Sequence, residues 1–220
     1  MKTAQKKILV IDVGGTNLKI SVTGQTEAVK VPSGPTMTAA QMVAAVKKVA
    51  AGGSFDAVSI GYPGPVKNDR PLREPHNLGG GWVKFNFKKA FGRPVKIIND
   101  AAMQALGSHI GGRTLFLGLG TGLGSALVID GSVLPLELAH LPYKKNRSYE
   151  EYLGDAARKR LGKKKWLHHV GEVVSLFKAA LLADRVVLGG GNARHVKKFP
   201  AGVEAGKNSN AFIGGQRLWK

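Results

Sequence analysis

Residues 8–24 read ILVIDVGGTNLKISVTG, and residues 114–131 read TLFLGLGTGLGSALVIDG. Each stretch has an apolar run, a glycine turn and a second run rich in apolar residues, a pattern typical of two antiparallel strands joined by a tight turn. The two stretches can be laid over one another with their glycine turns in register, half a chain length apart. This internal repeat predicts an α/β protein with two lobes, each of which opens with a glycine-turned hairpin.

The sequence between and after these stretches predicts the elements that complete the two lobes. Apolar residues at helical spacing predict helices, and short β-branched runs predict strands. The predicted helices cover residues 38–50, 101–106 and 165–183, and the predicted strands cover 57–60, 94–98 and 185–188. We place the boundary in the glycine-rich stretch 107–112, which makes the lobes 1–108 and 109–220.

The composition excludes several classes of protein. The 220 residues include no cysteine, which rules out disulfides, thiolate metal sites and cysteine nucleophiles and is compatible with a reducing compartment. The first apolar run ends at Asp12, so it is too short for a signal peptide or a membrane-spanning helix. We therefore expect a soluble, cytoplasmic protein that does not bind a membrane.

The net charge is strongly positive. Lysine and arginine number 33 against 14 acidic residues, which gives +19. A charge of this sign and size attracts polyanions such as nucleic acid, an acidic membrane or polymeric phosphate. Two basic runs stand out, at 144–165 and 194–198, and most such runs are simply solvated helix faces. Composition alone leaves open whether the charge serves a partner or only solubility.

The two glycine turns are candidate phosphate sites. Glycines at the tip of a hairpin let backbone N–H groups approach a phosphate closely, and a threonine adds a hydroxyl donor. Asp12 can hold Mg²⁺ directly or through water, and Lys19 supplies a compact positive charge. A plain hairpin turn would use the same glycines, but the recurrence of the turn favours the phosphate interpretation. The candidates are Asp12, Gly14, Gly15, Thr16, Asn17, Lys19, Gly120, Thr121 and Gly122.

Asp100 ends the predicted strand 94–98 together with Asn99. A carboxylate at a strand end can accept the proton of a hydroxyl as that hydroxyl attacks phosphorus, a contribution of about 10²–10⁴ in rate. An aspartate that only caps the following helix would occupy the same position. The position alone does not separate the two roles.

These motifs together resemble the ROK sugar kinases, and within them most closely the polyphosphate glucokinase branch. The segments that carry the resemblance are DVGGTNLK (12–19), NLGGGW (77–82), NDA (99–101), GLGTGLGS (118–125), ELAH (137–140) and LGGGNA (188–193). The resemblance spans about residues 7–195. It implies an α/β fold of two ribonuclease-H-like, actin-like lobes, and a cleft between the lobes that closes on sugar and phosphoryl donor.

The resemblance also implies roles for individual residues. Asp100 matches the catalytic base, whereas the glycine turn after residue 188 matches the adenosine segment. The implied sugar-binding residues are Asn77, Gly80, Asn99, Asp100, Glu137 and His140, and the implied nucleotide-binding residues of the third turn are Gly189, Gly190, Gly191 and Asn192.

Two departures from the family pattern concern the sugar site. Ala139 stands where the family has glycine, and Pro142 stands where many relatives have an acid. The sugar contact supplied by that acid is missing, which leaves the identity of the hexose open. In many ROK proteins the histidine also binds a structural zinc with downstream cysteines. Since this chain has no cysteine, the resemblance implies no zinc site, a sugar-binding His140 and Mg²⁺ as the required metal.

The function predicted from the sequence is transfer of a phosphoryl group to a hexose hydroxyl, most simply the 6-hydroxyl of glucose. The donor is polyphosphate, ATP or both, because the charge favours the polymer and the LGGGNA segment favours the nucleotide. A homodimer is expected by resemblance, and no nucleic-acid partner is expected despite the charge. The alternatives are a catalytically decayed protein on the same scaffold that binds polyanions, and a kinase with another acceptor, because a fold does not determine its substrate.

Overall fold

A computed structural model describes residues 6–25, 27–207 and 209–220. The chain divides into two compact units, one made of the residues up to Met103 together with Gly214–Lys220, and one made of Gln104–Ile213. The C-terminal residues 214–220 therefore belong with the first unit in this division. The predicted boundary between residues 108 and 109 stays a prediction.

The described part of the first unit is built on a five-stranded sheet with the order β3-β2-β1-β4-β7. Strand β1 pairs antiparallel with β2 and parallel with β4, and β4 pairs parallel with β7. The strands are β1 Ile8–Val13, β2 Asn17–Val22, β3 Val29–Pro32, β4 Ala57–Tyr62, β5 Val66–Lys67, β6 Arg70–Pro71 and β7 Val95–Asn99. The helices are α1 Ala39–Val49, α2 Phe87–Phe91 and α3 Asp100–Ser108, the last of which contains the boundary between the units.

The second unit repeats this arrangement over its described residues, with a five-stranded sheet in the order β10-β9-β8-β13-β14. The β8–β9 and β9–β10 pairs are antiparallel, and the β8–β13 and β13–β14 pairs are parallel. The strands are β8 Arg113–Leu119, β9 Leu123–Ile129, β10 Ser132–Leu136, β11 Pro142–Lys144, β12 Arg147–Ser148, β13 Arg185–Gly189 and β14 Val203–Ala205. The helices are α4 Glu150–Leu153, α5 Asp155–Leu161, α6 Lys163–Ala180 and α7 Asn210–Arg217, the last of which crosses into the first unit after Ile213.

The matching sheets confirm the α/β fold and the repeat predicted from the two glycine-turned hairpins. In both units the hairpin supplies the central strand and its antiparallel neighbour, and parallel strands add to the other edge. Each sheet packs its apolar side chains into a separate core, as the alternation along β2 and the apolar stripe of α6 predict. Trp82, at the end of the NLGGGW segment, is fully buried in the first core and is therefore a core aromatic.

Two local features differ from the sequence-based expectation. Helix α3 begins at Asp100, but the residue that caps it is Asn99, whose Oδ1 accepts a hydrogen bond of 3.1 Å from the backbone N–H of Ala102. The stretch between β10 and α6 also forms a small β11–β12 hairpin and two short helices, which the sequence did not indicate. No helix within the described residues is both long and apolar enough to cross a membrane.

Candidate active site

The first glycine turn connects β1 to β2 and is held tightly in place. The backbone N–H of Gly14 donates to the carbonyl of Asn17 over 3.1 Å, and a Cβ at position 14 would lie 2.8 Å from that same oxygen. Ser33, which directly follows β3, stabilises the turn because its Oγ donates a hydrogen bond of 2.6 Å to the Gly14 carbonyl. Thr16 remains exposed at the tip. The turn therefore offers exposed backbone and a hydroxyl donor at a rigid position.

Asp12 and Lys19 face each other at the base of this turn. They are partners in the β1–β2 register, and the Lys19 Nζ lies 2.9 Å from Asp12 Oδ2. Asp12 is only 6% exposed, so this ion pair offsets part of the cost of burying its charge. Lys19 keeps a third of its side-chain surface exposed, which leaves its ammonium group able to contact an anion as well.

Asp100 is placed by the parallel strands. The register pairs Asp12 on β1 with Gly61 on β4, and Gly61 with Ile98 on β7, so that α3 starts at the same edge of the sheet as Asp12. A Cβ at Gly61 would overlap the Met103 side chain and lie 3.5 Å from the Asp100 Cα. Glycine at position 61 therefore lets the first turn of α3 lie directly on β4.

The Asp100 carboxyl is electrostatically unusual. Burial, as the larger cause, and the negative charge of Asp12 together raise its pKa to about 7. The hydrogen bond from the Ala101 N–H, of 2.7 Å, and the charge of Lys19 act in the opposite direction but are weaker. A carboxyl whose pKa lies near neutrality can both accept and release a proton under physiological conditions.

Asn77 lies against the first glycine turn. A Cβ at Gly15 would come within 2.9 Å of the Asn77 Cβ, so the close approach of the two segments requires glycine at position 15. The loop is fixed by Gly79, whose N–H donates to the Met37 carbonyl at 3.0 Å and whose carbonyl accepts from Trp82 Nε1 at 2.8 Å. The predicted ligands Asn77 and Gly80 are both exposed on this loop.

Asn99 is more constrained than the sequence suggested. Its Oδ1 caps α3, and its Nδ2 donates to the Gly64 carbonyl at 3.2 Å. A sugar contact through this side chain would use its remaining amide hydrogen or lone pair. Asn99 thus has a structural role in placing Asp100, whatever it binds.

The second glycine turn, between β8 and β9, is organised by residues that are distant in sequence. The carbonyl of Gly120 accepts 3.1 Å hydrogen bonds from the Asp155 N–H and from Asn192 Nδ2. The same Nδ2 lies 3.2 Å from Asp155 Oδ1. Asn192 is buried, and its backbone N–H donates to the Leu119 carbonyl at 2.8 Å. Asn192 therefore joins the second glycine turn to the third one, where Gly190 adopts a positive φ of 79°.

Two residues at this turn, Glu150 and Asp155, were not predicted from the sequence. Glu150 Oε2 accepts a 3.1 Å hydrogen bond from the Leu123 N–H, and a Cβ at Gly122 would overlap its carboxylate. Asp155 begins α5 and also pairs with Arg158 and Lys159. In the sequence both residues are acids within a basic run, and no local pattern connects them to a glycine turn some 30 residues earlier.

Glu137 and His140 lie on opposite ends of one turn of 3₁₀ helix after β10. Their side chains approach to 3.7 Å between Oε2 and Nε2, and both are exposed, by 58% and 72% respectively. Ala139 between them is buried, and Pro142 begins β11 on the surface. The pair is thus available to a ligand, as a donor and acceptor set suited to hydroxyl groups.

The donor set in the first unit fits a hard divalent cation. The carboxylates of Asp12 and Asp100 are close enough that the charge of one raises the pKa of the other. Mg²⁺ binds through one or two carboxylates, retains several waters and uses substrate phosphates for the rest. No group of three or more His, Asp or Glu side chains suited to a metal occurs within the described residues.

The fold defines a class of protein. An inorganic polyphosphate/ATP-glucomannokinase from Arthrobacter sp. strain KM superposes with a TM-score of 0.79 at 22% identity, covering 96% of this chain and 97% of that one. A ROK family glucokinase from Streptomyces griseus, in complex with glucose and AMPPNP, gives a TM-score of 0.78 at 16% identity, covering 96% and 98%. The fold is that of the actin-like sugar kinases, as predicted.

The sequence comparison then identifies the family. The sequence profile of the ROK family matches residues 8–135. The chain belongs to the ROK family. The polyphosphate glucokinase of Mycobacterium tuberculosis (strain CDC 1551 / Oshkosh) is 27% identical over 218 residues, covering 90% of this chain and 82% of that protein. The resemblance inferred from the motifs is confirmed, and the enzymes that share it are phosphotransferases acting on a sugar hydroxyl.

Proposed function

We propose that this protein transfers a phosphoryl group from polyphosphate or ATP to the 6-hydroxyl of glucose or a related hexose. The observation that carries the proposal is the position and acidity of Asp100. It lies at the carboxyl edge of the first sheet, next to Asp12, with a pKa raised to about 7 by burial and by that neighbouring charge. The family membership and the polyphosphate glucokinase relatives support the choice of reaction.

Asp100 is the general base in this proposal. The hydroxyl oxygen of the sugar forms a bond to the terminal phosphorus of the donor as its proton passes to the Asp100 carboxylate. The bridging P–O bond breaks, and its electron pair leaves with the shortened polyphosphate or with ADP. The proton is then released to solvent, which a carboxyl with a pKa near 7 does readily.

Asp12 would hold Mg²⁺, directly or through water, because its buried carboxylate lies at the base of the first glycine turn. When bound, the ion supplies charge neutralisation for the phosphates of the donor. Lys19 adds a fixed positive charge at the same place. The backbone of Gly15, Thr16 and Asn17 supplies N–H donors in the first unit, and Gly14, whose own N–H donates to the Asn17 carbonyl, keeps this turn tight.

In the second unit, the turn formed by Gly120, Thr121 and Gly122 binds donor phosphate, and the turn formed by Gly189, Gly190, Gly191 and Asn192 binds the nucleoside of ATP. Asn77, Gly80, Asn99, Glu137 and His140 orient the sugar. Because a site rich in donors and acceptors rejects analogues that lack a hydroxyl, these residues also determine selectivity. Pro142 supplies no carboxylate, so we propose that hexose selectivity rests on the other contacts. By similarity to the family we also propose a homodimer, which light scattering would test.

The test is glucose 6-phosphate formation with Mg²⁺ and glucose, in parallel with long-chain polyphosphate and with ATP. The Asp100→Asn variant removes the base with little change in shape, and we expect it to lower kcat by about 10²–10⁴. Asp130→Asn is a matched control, because Asp130 is exposed in the β9–β10 turn at a φ of 48° that asparagine tolerates.

The outcomes separate the candidate functions. Turnover with either donor that is lost in Asp100→Asn and kept in Asp130→Asn supports the kinase. Polyanion binding without turnover of any hexose would instead support the decayed scaffold, which the relatives do not favour. Turnover of mannose or an amino sugar but not glucose would keep the reaction and change the acceptor.

A further inference from the structure

A group of basic side chains in the second unit surrounds His195, just beyond the third glycine turn. Lys163 and Lys197 line the same cavity as this histidine, and their positive charges act on it together with those of Arg158 and Arg194. These four residues, called the basic cluster below, come from α5, from the start of α6 and from the segment after β13. The cluster is therefore formed by the tertiary structure, because its members are not one run in the sequence.

The position of His195 shows how closely these segments approach. Its ring packs edge-on against Trp166 of α6, with ring centroids 6.4 Å apart and an interplanar angle of 90°. Burial lowers the pKa of His195, and the four basic neighbours lower it further. The positive field that adds to the effect of burial on the pKa of this histidine would also attract an anion to the surface around it.

The start of α6 is unfavourable for the fold by itself. Lys163, Lys164 and Lys165 occupy its first turn, which contains no acidic residue, and no side chain caps it. Positive charges at a helix N-terminus oppose the helix dipole, and neighbouring lysines repel each other. All three are exposed. A bound polyanion would interact favourably both with the helix dipole and with the three lysines.

The basic cluster is continuous with the second glycine turn. Asp155 receives 2.8 Å contacts from Arg158 and Lys159, which hold its pKa well below the usual range. The backbone N–H of Asp155 bonds to the Gly120 carbonyl, and its Oδ1 accepts from Asn192. Arg158 therefore connects the second glycine turn, through Asp155, with the basic cluster.

We propose that the basic cluster binds the phosphate units of a polyphosphate chain that extend beyond the units held at the second glycine turn. This inference rests on the proposed function and specifies its donor. Polyphosphate carries one negative charge per unit along its whole length, so every added unit can meet another cation. ATP carries only three phosphates followed by an uncharged nucleoside, and it gains little from cations further along.

The chemistry of the cluster favours polyphosphate over a nucleic acid. Single-stranded nucleic acids are held by cations together with aromatic rings on which bases stack. The aromatic rings at this place pack into the core, since Trp166 is fully buried, Tyr152 is only 7% exposed and Phe199 is partly buried against the same core. The surface therefore presents ammonium and guanidinium groups, which bind phosphates without contributing to base recognition.

The test compares two double variants that remove the same charge. Lys163→Gln/Lys197→Gln weakens the basic cluster, and Lys47→Gln/Lys48→Gln removes two exposed lysines from α1 in the first unit. Binding of fluorescently labelled long-chain polyphosphate is measured by anisotropy at several salt concentrations, with tripolyphosphate as the short ligand and no sugar present. Thermal unfolding checks that each variant is folded. If the Lys163→Gln/Lys197→Gln protein is unfolded, the Arg194→Gln variant is used in its place.

We expect the cluster variant to bind long-chain polyphosphate roughly tenfold more weakly and the logarithmic salt slope to fall by about 1.4, or about 0.7 per lost contact. Tripolyphosphate binding should change less than twofold, as should all binding by the control. Equal weakening in both double variants would overturn the proposal, because net charge alone would explain the effect. If the cluster variant lost as much affinity for single-stranded DNA of matched charge as for polyphosphate, that result would also overturn the proposal, in favour of a nucleic-acid surface.

This measurement is independent of turnover. If the wild-type protein phosphorylates no hexose but the cluster variant still loses polyphosphate affinity selectively, the proposed function fails while the binding surface stands. If turnover with polyphosphate is normal in the cluster variant and binding is unchanged, the kinase stands and the cluster inference fails.

Discussion

Lys19 Nζ lies 2.9 Å from Asp12 Oδ2, and the two residues are direct partners across the β1–β2 hairpin. Both affect Asp100, because the charge of Asp12 raises the pKa of that carboxyl and the charge of Lys19 lowers it. Burial of Asp100 is the largest contribution, and all the contributions together bring the pKa to about 7. The Lys19–Asp12 pair therefore modulates the pH at which Asp100 can accept a proton.

We expect kcat/KM for the sugar to rise with pH up to about 7 and then to level off. The sign follows from the role of Asp100, since the base must have lost its proton and its pKa is raised to about 7. In Lys19→Met the favourable positive charge is lost, so the rising limb should move to higher pH while maximal activity falls. A pH profile of kcat/KM measures the position of the rising limb and the maximal activity. If the rising limb of Lys19→Met lay at the same pH as that of the wild type, the proposed influence of Lys19 would be contradicted.

Asp100→Asn should stabilise the folded protein at alkaline pH. The raised pKa means that the folded state holds a proton that the unfolded chain releases at about pH 4, so stability falls as pH rises from about 4 to 7. The side-chain amide of the introduced asparagine carries no charge, and its oxygen can still accept the hydrogen bond from the Ala101 N–H. We expect a gain in unfolding free energy of about 1–3 kcal/mol at pH 8 and less than half of that at pH 4. Urea unfolding at both pH values measures it; an equal gain at both would show that the charge is not responsible.

Gly61→Ala should destabilise the first unit and reduce kcat. The new Cβ overlaps the buried Met103 side chain and approaches the Asp100 backbone, and overpacking of this kind costs about 1–3 kcal/mol. Met103→Ala would leave a cavity by itself, but in the double variant it makes room for the new methyl group. A double-mutant cycle of unfolding free energies should give a favourable coupling of about 1 kcal/mol. If the two changes in unfolding free energy were strictly additive, the new Cβ at position 61 would not collide with the Met103 side chain.

Asn192→Ala should weaken donor binding more than sugar binding. The substitution removes the hydrogen bonds from Nδ2 to the Gly120 carbonyl and to Asp155, and leaving buried polar groups unpaired costs about 1–3 kcal/mol. The KM for the phosphoryl donor should rise, whereas the KM for glucose should stay within about twofold. Asn192→Asp is the sharper variant, because it sets a second carboxylate against Asp155. If the KM for the donor rose less in Asn192→Asp than in Asn192→Ala, the assigned contacts would be wrong.

The elements with a strong local pattern were predictable from the sequence. The predicted helix 38–50 is α1, Ala39–Val49, and the predicted strand 185–188 is β13, Arg185–Gly189. These elements have regular apolar spacing and clear ends, so their local preference agrees with their packing. The β11–β12 hairpin and the short α4 and α5 were not predicted, because their residues have no sustained period and are held by contacts such as those of Glu150 and Asp155.

By itself the sequence determined the repeat, the two glycine-turned hairpins and the residue types at their tips, which predicted two α/β lobes. The sugar kinase fold was implied by the resemblance of six segments to the ROK family. Such information is local, because it lies in spacing, in glycine and in residues next to a strand end. Tertiary structure alone decided the acidity of Asp100, the capping role of Asn99 and the assembly of the basic cluster around His195. Each of these depends on burial or on charges brought together from distant segments, and electrostatic effects follow distance in space rather than distance along the chain.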